Sequence, residues 1–136
     1  MRGLMSFYYA EKIISEFSSM QGLALSLTTG AVCFQQANGE KWGVEVADDG
    51  SHLLLHHNFS GLRVGDSAWM NKLLELNADY SFMQGAWFGL HQATQSCRIF
   101  KVLQIDSLTA NLMCEHLRGF IHLASVIKKD FSVGLG

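Results

Sequence analysis

Six histidines and three cysteines are the side chains of this sequence that could hold a metal ion or act as nucleophiles, and their spacing argues against both. His52 and His56 fall on one face of an extended segment. At roughly 3.3 Å per residue they stand about 13 Å apart, and His57 points the other way. On a helix, Cys114 and His116 lie about 200° apart and His116 and His122 about 240° apart, so neither pair converges on one ion. No metal and no cofactor are expected. Cys33 and Cys97 have no base beside them in sequence to generate a thiolate, and G-x-S-x-G is absent. The phosphate-cradling glycine motifs are absent too, Gly61 and Gly65 alone marking a loop. Asp48 and Asp49 sit in a hairpin turn, where solvated turn chemistry accounts for them. The reading is therefore a binding protein, not an enzyme. A small enzyme whose Cys and His are brought together only by the fold is the alternative.

The elements that must position these residues read as a single α+β domain over residues 1–136. Hydrophobic residues make up 49% and charged residues 16% of the chain, more apolar and less charged than the average soluble protein. Some of that excess is expected at an interface. A formal net charge of -2 and the absence of any Lys/Arg run exclude a broad polyanion footprint, so no nucleic acid partner is expected. Met1-Arg2-Gly3-Leu4-Met5-Ser6 has no sustained apolar core, and the thiols fit a reducing cytoplasm. The uncharged stretch from Phe17 to Gly39 is broken by Ser, Thr, Gln and Gly, so no membrane insertion is expected. The chain contains no proline, and its turns must rest on Gly, Asn and Asp.

Phe7, Ala10, Ile14, Phe17 and Met20 recur at spacings of three and four, which predicts an amphipathic helix over 7–20, capped by Ser6 and ended by Gly22. After the link Leu23-Ala24-Leu25-Ser26-Leu27 and a turn at Thr29-Gly30, Asn38-Gly39 and Asp49-Gly50 predict type I′ turns in a three-stranded meander over 31–59. Trp42, Val44 and Val46 share one of its faces, and Leu53, Leu55, His57 and Phe59 another, with Leu54 opposite. Asp66 caps a short helix from Ser67 to about Asn77 that carries Trp69, Leu73 and Leu76 in one stripe. Strands follow at 82–91 and 97–105. Phe82, Ala86, Phe88 and Leu90 lie on one face of the first, with Met83 and Trp87 on the other. Ile99, Leu103 and Ile105 share one face of the second, with Phe100 and Val102 opposite. Asp106 then caps a long closing helix. The order is α-β-β-β-α-β-β-α, a twisted antiparallel sheet packed with helices. A hairpin apolar on both faces carries more apolar surface than one small core needs, which points to a second molecule covering the spare face.

Leu73-Leu74-Glu75-Leu76-Asn77, followed by Gly85 and then Gly89-Leu90, resembles the Tir chaperone family, the class I chaperones of bacterial type III secretion. There a short helix ending in Leu-Leu-x-x-Asn precedes a strand with spaced glycines, and both build a homodimer interface. The likeness extends over the opening helix, Gly22-Leu23-Ala24-Leu25, the meander and the closing helix. Two departures stand out: a pI near 6.3, less acidic than is usual in the family, and His91 at a position often held by Asp. The resemblance implies a cytoplasmic homodimer that keeps the N-terminal segment of one or a few secreted effectors extended, without ATP hydrolysis. The effector-contacting positions expected on that basis are the outward apolar residues Phe17, Met20, Trp42, Val44, Val46 and Leu54. The expected dimer contacts are Trp69, Leu73, Leu76, Phe82, Trp87 and Phe88. A regulatory binding module of the same fold, with a folded partner, is a further alternative.

Overall fold

The computed structural model describes residues 2–20, 30–36, 38–47, 50–59 and 67–134. Its elements are α1 (Arg2–Met20), β1 (Ala31–Gln35), β2 (Lys41–Val46), β3 (His52–Asn58), α2 (Ser67–Ala78), α3 (Tyr80–Met83), β4 (Trp87–His91), β5 (Ser96–Gln104) and α4 (Ala110–Gly134). Short 3-10 turns lie at Gln92–Thr94 and Ile105–Ser107. The strands form one antiparallel sheet in the order β1-β2-β3-β5-β4. This is the expected α+β class and order, with α3 added. Two compact units divide the chain, Met1–Leu55 with Val102–Leu117 and His56–Lys101 with Arg118–Gly136, and β3, β5 and α4 contribute residues to both.

In the first unit, Ala10, Ile13, Ile14 and Phe17 form the buried stripe of α1, as the three-and-four periodicity requires. The helix begins at Arg2, so Ser6 lies inside it and is not its cap. The Phe17 ring lies 6.2 Å from Phe34 of β1, and Phe34 is the cross-strand partner of Trp42 in β2. Trp42 is fully buried. Its indole Nε1 donates to Gln36 Oε1 at 3.0 Å, so burial leaves its one polar atom satisfied. The turn between β1 and β2 is wider than a type I′ turn. Gln36 and Glu40 pair across it, and Gly39, at a φ of +90°, is the positive-φ position among its described residues. Asn38 instead accepts the Glu40 N–H on its side chain. That is a three-residue loop with its glycine in the left-handed region. Gly22, the 23–27 link, Thr29, Asp48, Asp49, Gly61, Gly65 and Asp66 lie outside the described residues.

In the second unit the expected strand 82–91 is corrected to a helical turn, a tight turn and a shorter strand. Asp79 Oδ1 accepts from Phe82 N, closing α3 at its start. Gln84 at a φ of 53° and Gly85 at 84° then turn the chain through the left-handed region before β4 begins at Trp87. Phe82 and Met83 are therefore helical. At the other end, Asp106 lies in the 3-10 turn, and the N-cap of α4 is Thr109. Its hydroxyl accepts from Leu112 N at 3.2 Å and its carbonyl from Met113 N at 2.8 Å.

Candidate binding surfaces

Directly opposed residues of an antiparallel pair share a face, and the β4–β5 register sets Trp87 opposite Phe100, Phe88 opposite Ile99 and Gly89 opposite Arg98. Alternation then places Phe88, Leu90, Cys97, Ile99, Lys101 and Leu103 on one face, where Phe88, Cys97, Ile99 and Leu103 are buried, Lys101 is half-buried and Leu90 at the strand's end is open. Trp87, Arg98, Phe100 and Val102 occupy the other face. Here Trp87 remains 39% exposed and Val102 42%, with Phe100 half-buried. The Trp87 and Phe100 rings stack at 5.6 Å with 24° between their planes. Gly89 makes room for that arrangement, since a Cβ there would stand 3.0 Å from Phe100 Cε2. Arg98 Nε on this face is buried with no hydrogen-bond partner among the described residues. Such a donor is uncommon in a finished interior. Both faces of the hairpin thus carry apolar side chains, one covered by the protomer except at Leu90 and one partly open.

The neighbouring helices add to the open apolar surface. Trp69 and Leu73 face inward and are buried, and Leu76 is half-buried. Leu74 is 66% exposed, and Tyr80 and Phe82 of α3 are exposed as well. Of the expected dimer positions, Phe82 and Trp87 are therefore open, while Trp69, Leu73 and Phe88 lie within the protomer's own core. Leu74, Leu90 and Val102 are open apolar positions outside the set of expected dimer contacts. Leu74 lies beside the inward stripe of α2 and Val102 opposite that of β5, whereas Leu90 continues the Phe88 face to the open end of β4.

The outward placing expected for Phe17, Trp42 and Val44 is corrected: all three are buried. The stripe of α1 and one face of β2 serve the core, with Phe34 of β1 against Phe17. Val46 and Leu54 are half-buried, and the Met20 side chain lies outside the described residues.

Burial pushes the Cys97 thiol up to about 11, so it is protonated at neutral pH and is a poor nucleophile. Burial lowers the Lys101 ammonium below its ordinary value. His57 is buried, with Nε2 2.6 Å from Lys128 Nζ. The ammonium donates, the imidazole accepts, and the same Nζ stands 5.3 Å from the Phe59 ring centroid. His52 Nδ1 lies 2.6 Å from Ser51 Oγ, and His91 Nδ1 2.7 Å from Thr94 Oγ1. Among the described residues no group of three His, Cys, Asp or Glu side chains could hold a metal. No described helix is long and apolar enough to cross a membrane.

The profile of the Tir chaperone protein (CesT) family matches residues 12–128. Among solved structures, the ExsC–ExsE complex matches at 18% identity with a TM-score of 0.74, covering 86% of this chain and 90% of the other. The HopA1–SchA chaperone–effector complex matches at 15% identity with a TM-score of 0.73, covering 87% and 91%. The Yersinia pestis type III secretion chaperone SycH, in complex with a stable fragment of YscM2, matches at 14% identity with a TM-score of 0.66, covering 87% and 98%. At these identities the structural likeness establishes the fold. No curated protein matches the sequence.

Proposed function

This chain belongs to the Tir chaperone protein (CesT) family, and from that premise we infer that it is a type III secretion chaperone that binds the N-terminal segment of one or a few effectors and keeps it extended. The observation that carries this reading is the family match across residues 12–128, which spans all four helices in whole or part and every strand. Holding an extended segment needs apolar contact and main-chain hydrogen bonds together, because ordering a flexible chain costs conformational entropy. Half-buried Val46 and Leu54 are the described effector-contact candidates that retain access, and Met20 stays a candidate from the sequence. No catalytic step is part of this function, and its setting is the cytoplasm.

The working unit in this reading is a homodimer formed through the outer face of the β4–β5 hairpin with α2 and α3. The part-open Trp87, Val102 and Phe82 support it, and so does Arg98 Nε, for which a second chain could supply the missing acceptor. The test is purification of the tagged chain from its native host, followed by limited proteolysis and mass spectrometry of what it retains. The expected result is one dominant partner protected only in an N-terminal segment. Retention of a partner protected throughout as a folded domain contradicts the reading and favours the regulatory module.

A further inference from the structure

We propose that Asn77 blocks the outer edge of β4, so that a second copy of this chain meets the hairpin through side chains and cannot continue the sheet strand to strand. The inference refines the dimer reading above and rests on it for its partner.

β4 is the last strand of the sheet, and the edge of such a strand presents unpaired N–H and C=O groups to any chain that can pair with them. In an antiparallel ladder each residue turns both groups to the same side, alternating along the strand. Phe88 turns both toward α2. Asn77 Oδ1 accepts from Phe88 N at 2.7 Å, and Asn77 Nδ2 donates to Phe88 O at 3.1 Å. One carboxamide thus supplies the acceptor and the donor that a neighbouring strand would have supplied. Two positions earlier, the Ala86 N–H is already given to Met83 O in the turn before the strand. Leu90 is the remaining edge-facing residue of β4, and immediately beyond His91 the chain enters the 3-10 turn Gln92–Thr94. Among the described residues this leaves a single open position between two closed ends, too short to seat a ladder.

The residue type is decisive. Aspartate offers two acceptors and no donor, and alanine offers neither, so among side chains of this length asparagine alone satisfies both groups of Phe88. Asn77 sits in the last turn of α2, one residue before its end at Ala78, which fixes where the amide can reach.

Amide hydrogen exchange of the ¹⁵N-labelled full chain, resolved by residue, tests this. In the wild type the Phe88 amide is expected to exchange about tenfold or more slowly than the Leu90 amide, the scale of one net hydrogen bond. Asn77→Ala is expected to remove that difference while leaving Trp87 and Gly89, which pair with β5, as they were. Asn77→Asp is expected to keep Phe88 protected, because the acceptor remains. Three results overturn the proposal: a wild-type Leu90 amide as slow as Gly89, an Asn77→Ala chain with Phe88 still protected, or an Asn77→Asp chain that loses protection as fully as alanine. If Asn77→Ala does not fold, the wild-type comparison and Asn77→Asp still decide. Light scattering on the wild type separates the two readings: a monomer defeats the dimer and leaves the exchange pattern standing, whereas a dimer with a slow Leu90 amide defeats the edge block alone.

Discussion

Replacing Trp87 by arginine separates the two roles of the β4–β5 hairpin. Trp87 is 39% exposed, about 100 Å² of a side chain that can bury about 250 Å². A two-fold contact covers that surface twice, so about 200 Å² is removed from water, worth about 5 kcal/mol at 25 cal/mol per Å². This is an upper figure, because association also costs freedom of motion. Half of it weakens the dimer about sixtyfold in Kd. Arginine is chosen because its planar guanidinium can still stack on Phe100 and so retains part of the protomer's own packing. It also brings two like charges into the contact. The fold is expected to lose only about 1–2 kcal/mol by urea unfolding, within the usual range for one replacement. Light scattering across a dilution series is the assay, with unfolding as the control. A folded Trp87→Arg chain with the wild-type mass and dissociation constant refutes the assignment of this face.

Three further outcomes follow from named contacts. Gly89→Ala places a Cβ 3.0 Å from Phe100 Cε2 against a ring held by the Trp87 stack, and is expected to cost about 1–2 kcal/mol by urea unfolding. Thr109→Ala removes the cap on Leu112 N and is expected to cost about 1 kcal/mol by the same measurement, whereas Asp106→Ala is expected to cost less. Cys97 rises from 9.0 to about 11 in the fold, so the unfolded chain releases its proton first as pH rises. Its contribution is fully present below pH 9 and is lost between about 9 and 11, up to about 3 kcal/mol. Unfolding free energies measured across that window are expected to fall more steeply for the wild type than for Cys97→Ala. The subtraction removes the opposite trend from Lys101, whose lowered value favours the fold as pH rises toward its unfolded value.

The element order was legible because periodicity of three and four in α1 and alternation in the meander are direct consequences of burying one face. The residues at 82–85 were not, because Phe82 and Met83 alternate into Ala86 and Phe88 as a strand would. The deciding features are the Asp79 cap and the left-handed pair Gln84–Gly85, which act through single backbone positions and leave no trace in an apolar count. The cap of α4 was misplaced for a related reason: Asp106 and Thr109 are both capping residue types, and the intervening 3-10 turn took the first. Surface and core were separable only in part. An apolar stripe states that a face is buried but not by what, so the sequence leaves Phe17 and Trp42 open to core and client alike, and Phe34 and Gln36 against them decide for the core.

The most direct test of chaperone action is the state of the bound client. An isotope-labelled effector N-terminal segment, added to the unlabelled chain and followed by residue-resolved NMR, is expected to show contact-induced shifts and slowed amide exchange along an extended stretch, with no long-range contacts within the segment itself. A bound segment that acquires its own tertiary contacts, or an effector that binds only through a folded domain elsewhere in its chain, contradicts the account.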